Sequence, residues 1–305
     1  MEGCSNSRTD DEMESLNILL LLIIIGLLAP QSGRGTLQRF NSTIERGTST
    51  ESASRQEAQE KATRLWEQAI AAKGGRERLY GIQNMLTLQH GDYKRQTFSL
   101  PVTHTTAPTK DQVRSASLNV FPNKFWDCQD YRPDVFGIIM HMYNYDTGMK
   151  YVLTLGEPAH PLEPIEPKEK RESRTYGLVA YLLETTWLKP IPMRASTATI
   201  GHRQVDVVQT ALNGQRVDFA LDRETHLPAK VSFYSSVKDQ TYVTTEILSD
   251  YTEVNGIKVP LTTVMDDGTK YSVTIQFNVE YNPEIFVKLP RFDLGLEAWH
   301  PRPNR

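Results

Sequence analysis

The chain has little of what most catalytic or nucleic-acid-binding proteins need. Two cysteines occur in 305 residues, Cys4 in the leader and Cys128 in the body, so the body cannot staple itself with an internal disulfide. The seven histidines are scattered, and none has a second His, Cys or carboxylate at the spacing of a zinc site. No metal and no cofactor are expected. Excess positive charge is missing too. The net charge is -3, and setting aside residues 1–15, with Arg8 and five acids, leaves 33 basic against 32 acidic residues. A neutral body without a basic stripe gives no electrostatic reason to bind nucleic acid.

A long apolar run is lacking as well. Residues 16–29 are apolar except for Asn17. That length falls short of the ~20 residues that cross a bilayer and fits the ~7 to 15 of a signal-peptide core. The segment ahead of the run is acidic, and Pro30 follows it. A cleaved leader and a retained membrane anchor therefore both stay open, with export to the periplasm the leading reading. Residues 31–53 are rich in Ser, Thr, Gly and Arg and read as a flexible linker. The folded body is expected over 54–290, with a tail at 291–305.

Strands dominate the second half. Tyr271, Val273, Ile275, Phe277 and Val279 alternate with polar residues, the period of a strand with one dry face. Asn213-Gly214, Asn255-Gly256 and Asp267-Gly268 mark tight hairpins, which force neighbouring strands antiparallel. Between Leu221 and Val231 the connection is longer, and Pro228 must open a strand or sit on an edge. Earlier strands are predicted near 84–93, 96–100, 113–121, 134–144 and 150–155. Residues 156–173, with four prolines among charges, read as an exposed loop.

Two helices complete the pattern. Ser54-Arg55-Gln56-Glu57 is a capping box, and Ala58, Ala62, Leu65, Trp66, Ala69 and Ile70 follow at helical spacing until Gly74-Gly75. Residues 174–188 read as a second helix, apolar nearly all round, which demands burial on most sides. The fold class is therefore α+β. An antiparallel sheet of ten or more strands must curl, and the two helices are the elements available to cover its concave face.

Candidate chemistry is thin. Ser235-Ser236-Val237-Lys238 matches an S-x-x-K pattern, but that Ser ends a strand where the motif needs a helix start. Cys128 has no assignable His partner, so an enzyme is not expected. Two alternatives stay open: both helices simply complete the core, or they cover an apolar ligand. Leu178, Tyr181, Leu182 and Trp187 of the second helix would close over Phe219, Phe233, Ile275 and Phe277 of the sheet, and a greasy ligand would lie between them. A scaffold that binds a protein through an edge strand or the 156–173 loop is the other reading.

Four phrases carry a family resemblance. They are Lys73-Gly74-Gly75 with Arg78-Leu79, the run Leu221-Asp222-Arg223-Glu224-Thr225-His226-Leu227-Pro228, the run from Asp250 to Pro260, and Asn282 to Pro290. Together they resemble the bacterial outer-membrane lipoprotein-sorting group of the carriers LolA and LolB, over about residues 54–290. The resemblance implies a strongly curved half-barrel of about eleven strands, helices on its concave face, and a lipid or acylated lipoprotein as partner. It also implies a periplasmic location. The gating arginine of those carriers has no counterpart that can be placed here.

Overall fold

The computed structural model describes residues 49–94, 110–130, 138–153, 161–166, 177–237, 240–266 and 268–288. Two helices open this part of the chain, α1 (Ser49–Lys73) and α2 (Arg76–Tyr80). Five strands follow, β1 (Asn84–Lys94), β2 (Lys110–Val120), β3 (Lys124–Asp130), β4 (Ile138–Asn144) and β5 (Met149–Leu153), and then the two-residue β6 (Glu163–Pro164). The short helix α3 (Leu178–Leu182) precedes an unbroken meander. Its strands are β7 (Ile191–Ile200), β8 (Arg203–Leu212), β9 (Gln215–Asp222), β10 (Pro228–Val237), β11 (Gln240–Val254), β12 (Ile257–Met265) and β13 (Lys270–Phe277). A 3-10 turn, Pro283–Phe286, ends the described chain.

All thirteen described strands form one open sheet in the order β6-β5-β4-β3-β2-β1-β13-β12-β11-β10-β9-β8-β7. Every pairing is antiparallel. The turn chemistry accounts for much of this. Asn213 and Gly214 hold φ of 51° and 80°, and Asn255 and Gly256 hold 51° and 78°, the doubly left-handed pair that suits the twist of a two-residue hairpin. Pro228 opens β10, where it owes no N–H to the ladder. In the turn before it, Asp222 Oδ1 accepts from the Glu224 and Thr225 amides and the Thr225 hydroxyl, which holds the Asp222 carboxyl below its ordinary range. One pairing joins the two strand runs: β1 lies against β13, with Met85 opposite Phe277 and Gln89 opposite Val273.

The sheet buries both faces, in different places. On one face α1 and α3 pack with β1 and β8 to β13 around Trp66, Met85, Phe219, Val231, Ile275 and Phe277. On the other, Leu86, Leu118, Trp126, Met140 and Tyr151 of β1 to β5 lie under Phe286 of the 3-10 turn. β1 serves both cores, since Met85 and Leu86 are neighbours in sequence and point to opposite sides. Asn278, at φ 54°, turns the chain out of β13. Asn84 clasps the redirected segment by bonding both the N–H and the C=O of Val279.

Several expectations change. The helix starts at Ser49, so Ser54 lies inside α1 and is not its cap. The buried stripe Ala62, Leu65, Trp66, Ala69, Ile70 is as expected. The helix predicted over 174–188 reduces to the five residues of α3, and 174–176 lie outside the described residues. Beyond α3 the chain is irregular because local bonds compete with the helix. Leu183 turns left-handed at φ 63°, and the Thr185 hydroxyl accepts the Trp187 and Leu188 amides. β3 was not foreseen, and the strand expected near 96–100 lies outside the described residues. Of the 156–173 loop, residues 161–166 are described, and their Glu163-Pro164 pair adds to β5 as a short, exposed edge. Thirteen strands are found among the described residues, where about eleven were expected.

Gly74 explains one of the quoted phrases. It sits at φ 131°, and a Cβ there would lie 2.3 Å from the backbone oxygen of Gly256. The end of α1 thus rests directly on the β11–β12 turn, and Arg78 bonds the Gly74 carbonyl at 2.8 Å. Gly74→Ala is expected to cost about 2 to 4 kcal/mol, because both backbone strain and a backbone clash must be relieved. A urea midpoint unchanged from the parent would show that this contact can open freely.

Candidate functional site

The site is built on α3. Leu178, Val179, Ala180, Tyr181, Leu182 and the following Leu183 are all at most 8 % exposed, yet neither end of the helix carries a side-chain cap. One and a half turns cannot persist on backbone bonding alone, so burial holds α3 in place.

Seven of the eight residues expected to line a ligand site come together here. Leu178, Tyr181, Leu182, Phe219, Phe233, Ile275 and Phe277 belong to one packed cluster. Trp187 does not join its interior. It packs against the rim and tilts onto Phe121 with ring centroids 4.9 Å apart. Ser235 lies within β10 and Cys128 is buried on the opposite face of the sheet among Trp126 and Met140. Among the described residues no three His, Cys, Asp or Glu side chains gather as a metal site.

A polar patch interrupts this cluster. The Tyr181 hydroxyl accepts from Gln89 Nε2 at 3.2 Å, and the Ser115 hydroxyl donates to Gln89 Oε1 at 3.1 Å. Burial, and then the neighbouring Glu246 carboxylate, push the Tyr181 phenol well above its ordinary range. Glu246 itself is pushed up to about 7 by burial and by Asp266. Its Oε2 has no hydrogen-bond partner, while the Thr263 hydroxyl lies against that of Tyr181. Sequence reasoning missed this patch, although the polar Thr87 and Gln89 at alternate positions of β1, a strand with two dry faces, were a readable signal.

A second network ties the roof down. Glu184, 5 % exposed, accepts from Trp66 Nε1 at 3.2 Å, Arg76 Nε at 2.5 Å and the Tyr80 hydroxyl at 3.0 Å. Arg76 also forks onto Glu67, and the two carboxylates hold its guanidinium charged. At the C-terminus of α1, Lys73 is fully buried with its Nζ 5.0 Å from the centre of the Tyr251 ring. Burial pulls its amine down to about 7. Elsewhere, His141 Nδ1 lies 2.8 Å from Asp127 Oδ1 across β3 and β4, both buried. A separate open cleft of about 430 Å³ borders Tyr80, Phe121, Pro122, Trp187 and Tyr281.

No family model matches the chain, and no curated protein matches it. Solved structures do. The fold is similar to a LolA superfamily protein from Nitrosomonas europaea, at 12% identity and a TM-score of 0.44, over 74% of this chain and 97% of that one. It is also similar to an outer membrane lipoprotein-sorting protein domain from Vibrio parahaemolyticus, at 15% identity and a TM-score of 0.42, again over 74% and 97%. Both are of the group that the sequence phrases resemble.

Proposed function

We propose that this protein is a non-catalytic carrier or sensor that takes the acyl chain of a lipid or lipoprotein onto the concave face of a curved half-barrel, in the place that α3 fills. The observation behind the reading is α3 itself, a helix without side-chain caps whose every side chain is buried on a sheet face rich in Phe219, Phe233, Ile275 and Phe277. Such an element is an apolar plug that an apolar chain can replace at little cost, because the surface it leaves is covered again. Leu178, Tyr181 and Leu182 are the plug, and the four sheet residues are the wall. Export to the periplasm, with or without retention by the N-terminal apolar run, fits that role. Among the described residues no helix is long and apolar enough to cross a membrane.

Native mass spectrometry of protein from the periplasmic fraction is expected to find an added amphiphile mass. In a titration with monolauroylglycerol, Leu182→Ala is expected to tighten binding at least about tenfold, since loosening the plug weakens the ligand's competitor; Leu-to-Ala losses of about 2 to 5 kcal/mol leave room for that. A protein that binds no monoacyl amphiphile would end the carrier reading. Weaker binding by the Leu182→Ala variant would make α3 a wall of the site and not its plug.

One feature favours a scaffold as the second reading. The edge strand β7 leaves Ile191 58 % and Met193 49 % exposed, and an unpaired edge with apolar side chains is a template for strand addition.

A further inference from the structure

The polar patch under α3 has no part in holding a bare acyl chain, and its geometry restricts the ligand. Thr87 and Gln89 lie on β1, Thr263 on β12 and Glu246 on β11. They share the helix-covered face, since Gln89 stands opposite Val273, Thr263 opposite Leu248 and Glu246 opposite Val231, all three partners being core residues. Thr263 is 1 % exposed and lies beside the Tyr181 hydroxyl, and Glu246 Oε2 is without a hydrogen-bond partner. A buried unpaired polar atom costs about 1 to 3 kcal/mol. Thr263 and Glu246 stand on neighbouring strands two residues apart in register, in a face otherwise built of apolar side chains, and the unpaired Glu246 oxygen there is a contact held open for something else.

Tyr181 supplies the template. Its side chain is an apolar stem tipped by a hydroxyl, and that hydroxyl is what α3 delivers to the patch, where Gln89, steadied by Ser115, donates to it. When α3 leaves, the Gln89 amide and the Thr263 hydroxyl both lose Tyr181 as a partner. An incoming chain that ended in a methyl would leave both unsatisfied, whereas a terminal hydroxyl would restore the Tyr181 contacts and could donate to Glu246. Resting on the carrier reading above, we infer that the patch is a head-group subsite that selects an uncharged, hydroxyl-bearing group on the apolar chain and rejects a carboxylate. Rejection follows from Glu246, because two carboxylates cannot both stay ionised side by side in a site of low dielectric. Sites built to bond a hydroxyl discriminate strongly against ligands lacking one.

The test compares monolauroylglycerol with laurate, equal in chain length, on the full chain at pH about 8 by calorimetric titration. Monolauroylglycerol is expected to bind at least about tenfold tighter. Glu246→Gln should raise laurate affinity by about tenfold, and Thr263→Val should weaken monolauroylglycerol severalfold while leaving laurate nearly unchanged. Equal binding of the two ligands to the parent protein overturns the subsite and spares the carrier; that comparison needs no variant to fold. Insensitivity of laurate to Glu246→Gln overturns it as well. Failure of both ligands to bind removes the carrier reading and the subsite together.

Discussion

Glu184→Ala is expected to lower the unfolding free energy by about 3 to 5 kcal/mol, the cost of breaking a buried charge network from one side. The change removes the acceptor that three donors share: the indole of Trp66 on α1, the guanidinium of Arg76 on α2 and the hydroxyl of Tyr80 at the end of α2. Trp66 is 2 % exposed, so its N–H cannot turn to water once the carboxylate is gone. Arg76 is the lesser concern, because it is nearly half exposed and keeps Glu67. Glu184→Gln keeps the acceptor oxygen and loses the charge, so about half the effect is expected. The check is the urea midpoint with the slope held constant. A loss under about 1 kcal/mol for the Ala variant would mean that apolar packing alone fixes α1 and α2 over the chain that follows α3. Because Glu184 lies two residues beyond α3, the Ala variant should also speed amide exchange in Leu178–Leu182 more than in β11 and β12.

Lys73→Met is expected to raise stability, and the gain should depend on pH. The amine's pKa falls from 10.5 in the unfolded chain to about 7 in the folded one, so between those values the unfolded state binds more protons. Stability of the parent therefore climbs as pH rises from about 7 to about 10.5, while below about 7, where both states are protonated, the full penalty remains. Each unit of depression is worth about 1.4 kcal/mol. An attractive contact between the ammonium and the Tyr251 ring returns about 0.5 to 2 kcal/mol, which is too little to offset burial. The variant should thus be more stable by about 2 to 4 kcal/mol near pH 6, with the difference shrinking towards pH 10. A difference that stayed flat across that range would show that Lys73 leaves the interior when it is protonated. Its retention at such a cost, at the tip of α1 and against the Tyr251 ring, has no explanation in packing alone.

The meander was legible because its signals are local. Asn-Gly pairs need only their own φ values to make a hairpin, Pro228 needs only a missing N–H to seek a strand start, and the alternation from Tyr271 to Phe277 shows which side is dry. The stripe on α1 was equally plain, since 3.6-residue spacing is a property of adjacent turns. The quoted phrases also gain a physical meaning: Gly74, Arg78 and Gly256, from two of those phrases, meet at one contact. Around α3 local reading failed. Residues 174–188 have the composition of a buried helix, but Leu183 and the Thr185 hydroxyl break it after Leu182, and composition cannot weigh one threonine's bond to its neighbours' amides against the rest of the helix. β3 escaped notice because Trp126, Cys128 and Asp130 are all buried while Asp127 between them is too, which blurs the alternation.

From the sequence alone come the antiparallel order of the second run, the dry face of β13 and the buried side of α1. All of these depend on contacts between residues close along the chain. Which strands join the two runs, and which polar groups gather beneath α3, were decided only by the tertiary structure. β1 pairs with β13 across about 190 residues, and that single ladder brings Gln89, Tyr181, Thr263 and Glu246 together. No local pattern encodes a register set by the simultaneous burial of two faces of β1.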